Sequence, residues 1–273
     1  MDRRQLLATI AAAAVVSLAG CAETPKGSVA DSTALPDPLA PRPVPATPAP
    51  AVAPVRGEYA TAPLVAKHPI PGGTITRLPG NGNLMAWTVD DGADSDVVAA
   101  YARFAKDSGT RLTFFLNGMY DSWTVNAPAL RPLVDSGQVQ LGNHTFDHAD
   151  LTAQSDAGIV DQLSRNGAFI TKMYGVEAAP FYRPPYGYYD ARVGRIASGI
   201  GYTAPVMWYG SLSDSGLITD AQVVSFAQQW FLPQHIVIGH ANFPPVTHVY
   251  SQLLDILKQR GLHTVTLSDV FAG

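Results

Sequence analysis

From about residue 84 onward, short apolar runs alternate with segments in which apolar residues recur three and four positions apart. Leu84 to Val89 and Leu112 to Leu116 have strand length, and the second holds Phe114 and Phe115. Between them Val97, Val98, Tyr101, Phe104 and Ala105 share one face of a helix that stops at Gly109. Helical spacing returns near 126–136, 155–174, 190–199, 219–230 and 246–259, and strand-like runs near 138–142, 180–183, 202–207, 235–239 and 262–267. About seven strands interleaved with helices predict an α/β fold, a distorted (β/α) barrel of parallel strands, closed or nearly closed. Thr74 to Arg77 and Leu84 to Val89 flank the turn-forming stretch Pro79-Gly80-Asn81-Gly82-Asn83, which predicts a short N-terminal hairpin extension.

The first 56 residues carry neither pattern. Residues 1–20 join Arg3 and Arg4 to a small, apolar stretch from Leu6 to Gly20 that is short for a bilayer span and reads as an export signal. Arg3-Arg4-Gln5-Leu6-Leu7 is similar to a twin-arginine motif. The stretch ends Leu18-Ala19-Gly20-Cys21, which resembles the lipobox of bacterial lipoproteins, whose cysteine is lipidated and becomes the new N-terminus. A plain cleaved signal, with Cys21 incidental, is the other reading. Residues 21–56 turn to proline and alanine, a composition that builds no core. In the extended polyproline conformation, at ~3.1 Å per residue, Leu35 to Arg56 spans about 60–70 Å between an anchor and a domain. The folded domain is expected over 57–273.

Composition narrows the partners. With 273 residues, 47% hydrophobic and 15% charged, the chain can bury one substantial core. Its 18 basic and 22 acidic residues, net −4, form no basic run that would neutralise a phosphate backbone, so nucleic acid is not an expected partner. A single cysteine excludes an intrachain disulfide and a cysteine-built zinc site, and leaves His and carboxylate as the available metal ligands.

The candidate chemistry lies just past the strands. Asp90 and Asp91 follow the first run; His144 and His148 follow 138–142; Arg183, Pro184, Pro185 and Tyr186 follow 180–183. Trp208 and, further on, Asp214 follow 202–207, and His240 follows 235–239. In a β/α barrel the C-terminal ends of all strands open on one face, so these groups would converge. Two imidazoles four apart suit joint ligation of a cation on a helical turn, and Asp91 makes a two-histidine, one-carboxylate set with open positions. Each motif also has a bland reading. Asp-Asp-Gly makes turns, Arg183 could form a structural ion pair, and His240 could be a core-edge histidine. Trp123, Tyr188 and Trp208 are candidates for a substrate groove, or for packing. His235, His248 and His263 are read as structural. No Gly-x-Ser-x-Gly elbow is present, which speaks against a serine esterase.

In order, Asp-Asp-Gly at 90–92, His-x-x-x-His at 144–148, Arg183-Pro184-Pro185-Tyr186-Gly187 and the late Ile238-Gly239-His240 resemble the motifs of the polysaccharide deacetylases, carbohydrate esterase family 4, over roughly residues 84–270. The resemblance implies a divalent metal on Asp91, His144 and His148, zinc foremost, with Co, Mn or Ni accepting the same ligands. It further implies Asp90 as general base, Arg183 as the group that holds it, the Tyr186 N–H at the oxyanion, and His240 as acid oriented by Asp214. The activity so implied is deacetylation of an N-acetylated, or O-acetylated, cell-envelope polysaccharide such as peptidoglycan, by a protein exported and lipid-anchored through Cys21 and facing the periplasm or cell wall. The chain departs from the family pattern at Val89 and Ala93, at Ser215 where an aromatic is usual, and at Ala241 where Asp is common. Two rival readings stay open: a glycan-binding protein of the same fold without turnover, and a non-haem Fe(II) enzyme using the same three ligands.

Overall fold

The computed structural model describes residues 66–272; the expected export signal, Cys21, the proline-rich linker and the first residues of the expected domain lie outside the described residues. The strands are β1 His68–Pro69, β2 Leu84–Asp91, β3 Leu112–Leu116, β4 Val139–Asn143, β5 Phe181–Tyr182, β6 Ala204–Pro205, β7 Gly210–Ser211, β8 Ile236–His240, β9 His263–Thr264 and β10 Phe271–Ala272. Seven of them run on one path in the order β6-β5-β4-β3-β2-β8-β7, all parallel, and β9 pairs with the start of β2. The sheet curls into a half-barrel whose edge strands β6 and β7 do not pair with one another. Apart, β1 pairs in parallel with β10 and ties the two ends of the described chain together.

Each strand run predicted from apolar patterning is found. The helices are α1 Ser95–Ser108, α2 Ser122–Val125, α3 Ala127–Asp135, α4 Asp156–Tyr174, α5 Ala191–Gly199, α6 Asp220–Trp230, α7 Pro245–His248, α8 Tyr250–Gln259 and α9 Leu267–Val270. The helical stretch expected over 246–259 is broken at Val249, which caps α7 and leads into α8. Local chemistry sets the ends of α1: the Asp94 carboxylate accepts from the N–H groups of Asp96 and Val97, and Gly109 turns left-handed at the C-cap. In α6, Thr219 and Gln222 form a reciprocal capping box.

The expected N-terminal hairpin is not formed. Both edges of β2 are taken, by β8 on one side and by β3 and β9 on the other, so no edge is left for residues 74–77. The turn at 79–83 does reverse the chain, but Ile75 bridges Val206 in parallel and Arg77 bridges His235 antiparallel. This entry segment therefore bonds near the open side of the half-barrel instead of extending the sheet.

Alternation along β2 separates two apolar layers. Met85, Trp87 and Val89 join the larger cluster with the helix residues Val97, Tyr101 and Phe104, while Ala86 joins a smaller cluster of Ile75, Phe115, Phe181, Val206 and Ile236 inside the half-barrel. Thr88 and Asp90 share the parity of Ala86 and so face inward. That register turns a carboxylate at the end of an apolar strand into a buried functional group.

Candidate metal centre and active site

Pairing register brings the strand ends to one level. Asp90 stands opposite His240, Asp91 opposite Leu116, Leu116 opposite Asn143, and Asn143 opposite Tyr182. Residues at and just past these positions line one cleft of about 560 Å³ that includes Asp90, Asp91, His144, His148, Tyr186 and His240.

Asp91 has φ 69°, a left-handed conformation that costs energy for a residue with a Cβ, and Gly92 follows at φ 98°. The turn is held by Trp123. Its indole Nε1 donates to the Asp91 carbonyl at 2.8 Å, and its ring lies 2.4 Å from where any Cβ at Gly92 would stand. Trp123 is fully buried, so the structure removes it from the predicted substrate groove: it supports the acidic turn from below.

The Asp91 carboxylate then points at both histidines. Its Oδ1 lies 3.3 Å from Nε2 of His144 and 3.3 Å from Nε2 of His148, and this buried oxygen accepts no hydrogen bond. One ligand atom from each of the three residues falls within 4.8 Å of the others. An oxygen with no donor facing two imidazole nitrogens fits a divalent cation ligated by all three. The other ring nitrogen of His144, Nδ1, lies 2.7 Å from the Arg183 carbonyl; as the N–H donor there, it leaves Nε2 free to ligate. Burial works against charge on Asp91, but the close imidazole of His144, with those of His240 and His148, holds its carboxyl well below the usual range. Burial opposes a charged His144 too, yet Asp90 and Asp91 raise it overall; burial and the neighbouring His144 lower His148.

A turn, not a helical face, brings the two imidazoles together. Thr145 and His148 both have positive φ, and the rings sit 4.9 Å apart. Two asparagines build this turn: Asn143, directly past the run at 138–142, accepts from the Thr145 N–H through Oδ1, and Asn117, which patterning did not single out, donates from Nδ2 to the carbonyls of His144 and Thr145. Asn242 was missed as well. Its Nδ2 donates to Asp91 Oδ2 at 2.7 Å and its Oδ1 accepts from the Ala93 N–H, so it fixes the oxygen of Asp91 that does not face the histidines. The available signal was position, two residues past His240, but an asparagine in a loop ordinarily reads as a turn former.

Asp90 pairs with Arg183, both essentially without solvent contact. Besides Asp90, the guanidinium donates to Thr88 Oγ1 and to the carbonyls of Val206 and Met207, so its donors are spread over the half-barrel interior. On the other side of the cleft, His240 Nδ1 lies 3.0 Å from Asp214 Oδ1. Burial disfavours the imidazolium, but the hydrogen bond and charge of Asp214, with Asp90 and Asp91, raise the His240 pKa above its ordinary value. Tyr186 occupies a tight turn at φ 61°, 58% exposed, with its ring 4.6 Å from His148. Trp208 lines the cleft together with Ser215; Tyr188 flanks it through Tyr186, at 5.5 Å between rings.

Residues 78–205 match the sequence model of the family described as Polysaccharide deacetylase. The chain is 29% identical over 191 residues to an uncharacterized protein of Streptomyces coelicolor, covering 67% of this chain and 70% of that one. It is 30% identical over 133 residues to a chitin deacetylase of Pestalotiopsis sp, 49% of this chain but only 44% of the relative's length, and 27% identical over 212 residues, 76% and 97%, to the peptidoglycan-N-acetylglucosamine deacetylase of Bacillus cereus. Among solved structures, the fold is shared with the Bc1960 peptidoglycan N-acetylglucosamine deacetylase (TM-score 0.65, 22% identity, 72% and 92% covered) and with a CE4 family pseudoenzyme from Bacillus anthracis (0.65, 20%, 73% and 69%). The family model and the relatives support a kinship with the polysaccharide deacetylases, and the solved structures share the fold.

Proposed function

We propose that the chain is an exported, metal-dependent hydrolase that removes acetyl groups from an N-acetylated, or O-acetylated, cell-envelope polysaccharide such as peptidoglycan. The observation that carries the reading is one cleft in which the Asp91–His144–His148 triplet lies beside the Asp90–Arg183 pair and the His240–Asp214 pair. Asp91, His144 and His148 would hold a divalent cation, zinc before cobalt, manganese or nickel, which would supply Lewis acidity towards the acetyl carbonyl and the attacking water. Asp90, paired with Arg183, takes the proton of the attacking water. The Tyr186 N–H donates to the oxygen on which negative charge develops. His240, whose imidazolium Asp214 favours, gives its proton to the leaving sugar nitrogen, and acetate and a free amine result. Each proton transfer contributes ~10²–10⁴-fold when well placed. Cys21 serves as the lipid attachment, with residues 21–56 as tether and 57–273 as catalytic domain, facing the periplasm or cell wall.

A glycan-binding protein without turnover is the second reading. It is favoured by Ser215 and Ala241, which stand where the resembling family has an aromatic and an aspartate. The deciding experiment measures acetate released from N-acetylglucosamine oligomers and purified peptidoglycan by the metal-stripped chain, then by the same protein reloaded with Zn²⁺ or Co²⁺, beside Asp90→Asn. Metal-dependent release that disappears in Asp90→Asn is expected. Binding of oligomer without any acetate would replace the catalytic reading with the second one.

A further inference from the structure

The cleft does not end at the catalytic groups. Trp208 and Ser211 line it, and the same two residues line an adjoining depression of about 300 Å³ between the edge strand β7 and the second half of α6. Tyr209, Ser213, Phe226, Gln229 and Trp230 complete that depression, and no charged side chain lines it. Its occupant is therefore a neutral group with apolar faces and a polar rim.

Trp230 packs against the larger apolar cluster, but the other aromatic residues here belong to neither cluster. Phe226 is half-buried yet belongs to neither apolar cluster. Tyr209 is 45% exposed but locked in place: the Arg77 guanidinium carbon lies 3.4 Å over its ring centre, and the His235 ring is 4.6 Å away. Trp230 lies against β7 where Gly210 offers no side chain; a Cβ there would come within 2.6 Å of it. Aromatic surface fixed before binding loses little freedom when a ligand arrives. Ser213 and Gln229 are exposed beside it and carry donors and acceptors for hydroxyl groups.

We infer that this depression is a glycan subsite for a neutral pyranose unit of the same polymer, at a remove from the acetylated unit held at the catalytic groups. The inference rests on the deacetylase reading for the occupant of the cleft and on the shared Trp208 and Ser211 for the continuity of the chain between them. Aromatic faces receive the C–H face of the ring, and Gln229 and Ser213 receive its hydroxyls. The subsite makes affinity depend on oligomer length.

The test compares N-acetylglucosamine dimer and hexamer against the metal-stripped chain, Phe226→Ala and Gln229→Ala, by calorimetry and tryptophan fluorescence, and in parallel by acetate release from the reloaded proteins. Gln229 is exposed on α6, so its alanine variant folds even where Phe226→Ala fails to. Hexamer is expected to bind more tightly than dimer, with the Phe226→Ala variant losing about tenfold in hexamer affinity; Gln229→Ala should weaken hexamer binding about threefold. Dimer should bind all three proteins alike. Equal binding of dimer and hexamer by the unaltered chain, no hexamer binding, or variants that match it on hexamer would each overturn the subsite. Length-dependent binding lost in the variants without any acetate release keeps the subsite and removes the catalytic reading. Acetate release at the same kcat/KM on dimer and hexamer does the reverse.

Discussion

His240 and Asn242 stand two residues apart and work on opposite sides of the same chemistry. Because Asp214 holds the His240 pKa above its ordinary value, the imidazolium extends to higher pH than that of a free histidine and is lost as pH rises through that raised value. Activity should therefore fall on the alkaline side. Asp214→Asn removes the charge and should move that limb to lower pH, which a pH profile of kcat/KM will show. The same sign governs stability: the contribution of the pair is complete below the unfolded histidine pKa and disappears as pH rises through the folded one. Asn242 acts through Asp91, whose Oδ2 it holds at 2.7 Å. Asn242→Ala should lower metal affinity about 10–100-fold, as loss of a supporting hydrogen bond commonly does. Competition with a chromophoric chelator measures this without any substrate.

At the scale of elements, the parallel strands explain why so much of the site could be read in advance. Asp90, His144, Arg183 and His240 each end an apolar run, and parallel register alone brings such ends together. Elements without an apolar run gave no such signal. β7 is Gly210–Ser211, with no apolar run to mark it, and the entry segment bonds to Val206 and His235, partners that only the curved sheet brings within reach. Trp123 looked like a groove residue because it lies in a polar stretch between elements; tertiary packing under Gly92 decided otherwise. That packing leaves no room for a side chain. Gly92→Ala meets the Trp123 ring and forces a strained φ, and should destabilise the fold by about 2–4 kcal/mol, readable as a lower urea midpoint at unchanged slope.

For the whole molecule, the triplet joins β2 to the turn after β4, so a cation there ties segments far apart in sequence. Ligand saturated at about 100 times its dissociation constant stabilises by about 2.7 kcal/mol. For a domain of this size that is a rise in Tm of roughly 5–10 °C on adding Zn²⁺ to the stripped chain. His148→Ala should abolish most of the rise, and calorimetry with and without metal checks it.

The pairing of His68–Pro69 with Phe271–Ala272 fixes a direction for the molecule. Phe271 packs with Phe181 at the start of β5, whereas the cleft opens past the strands' far ends. The described residues thus begin and end at the pole opposite the cleft.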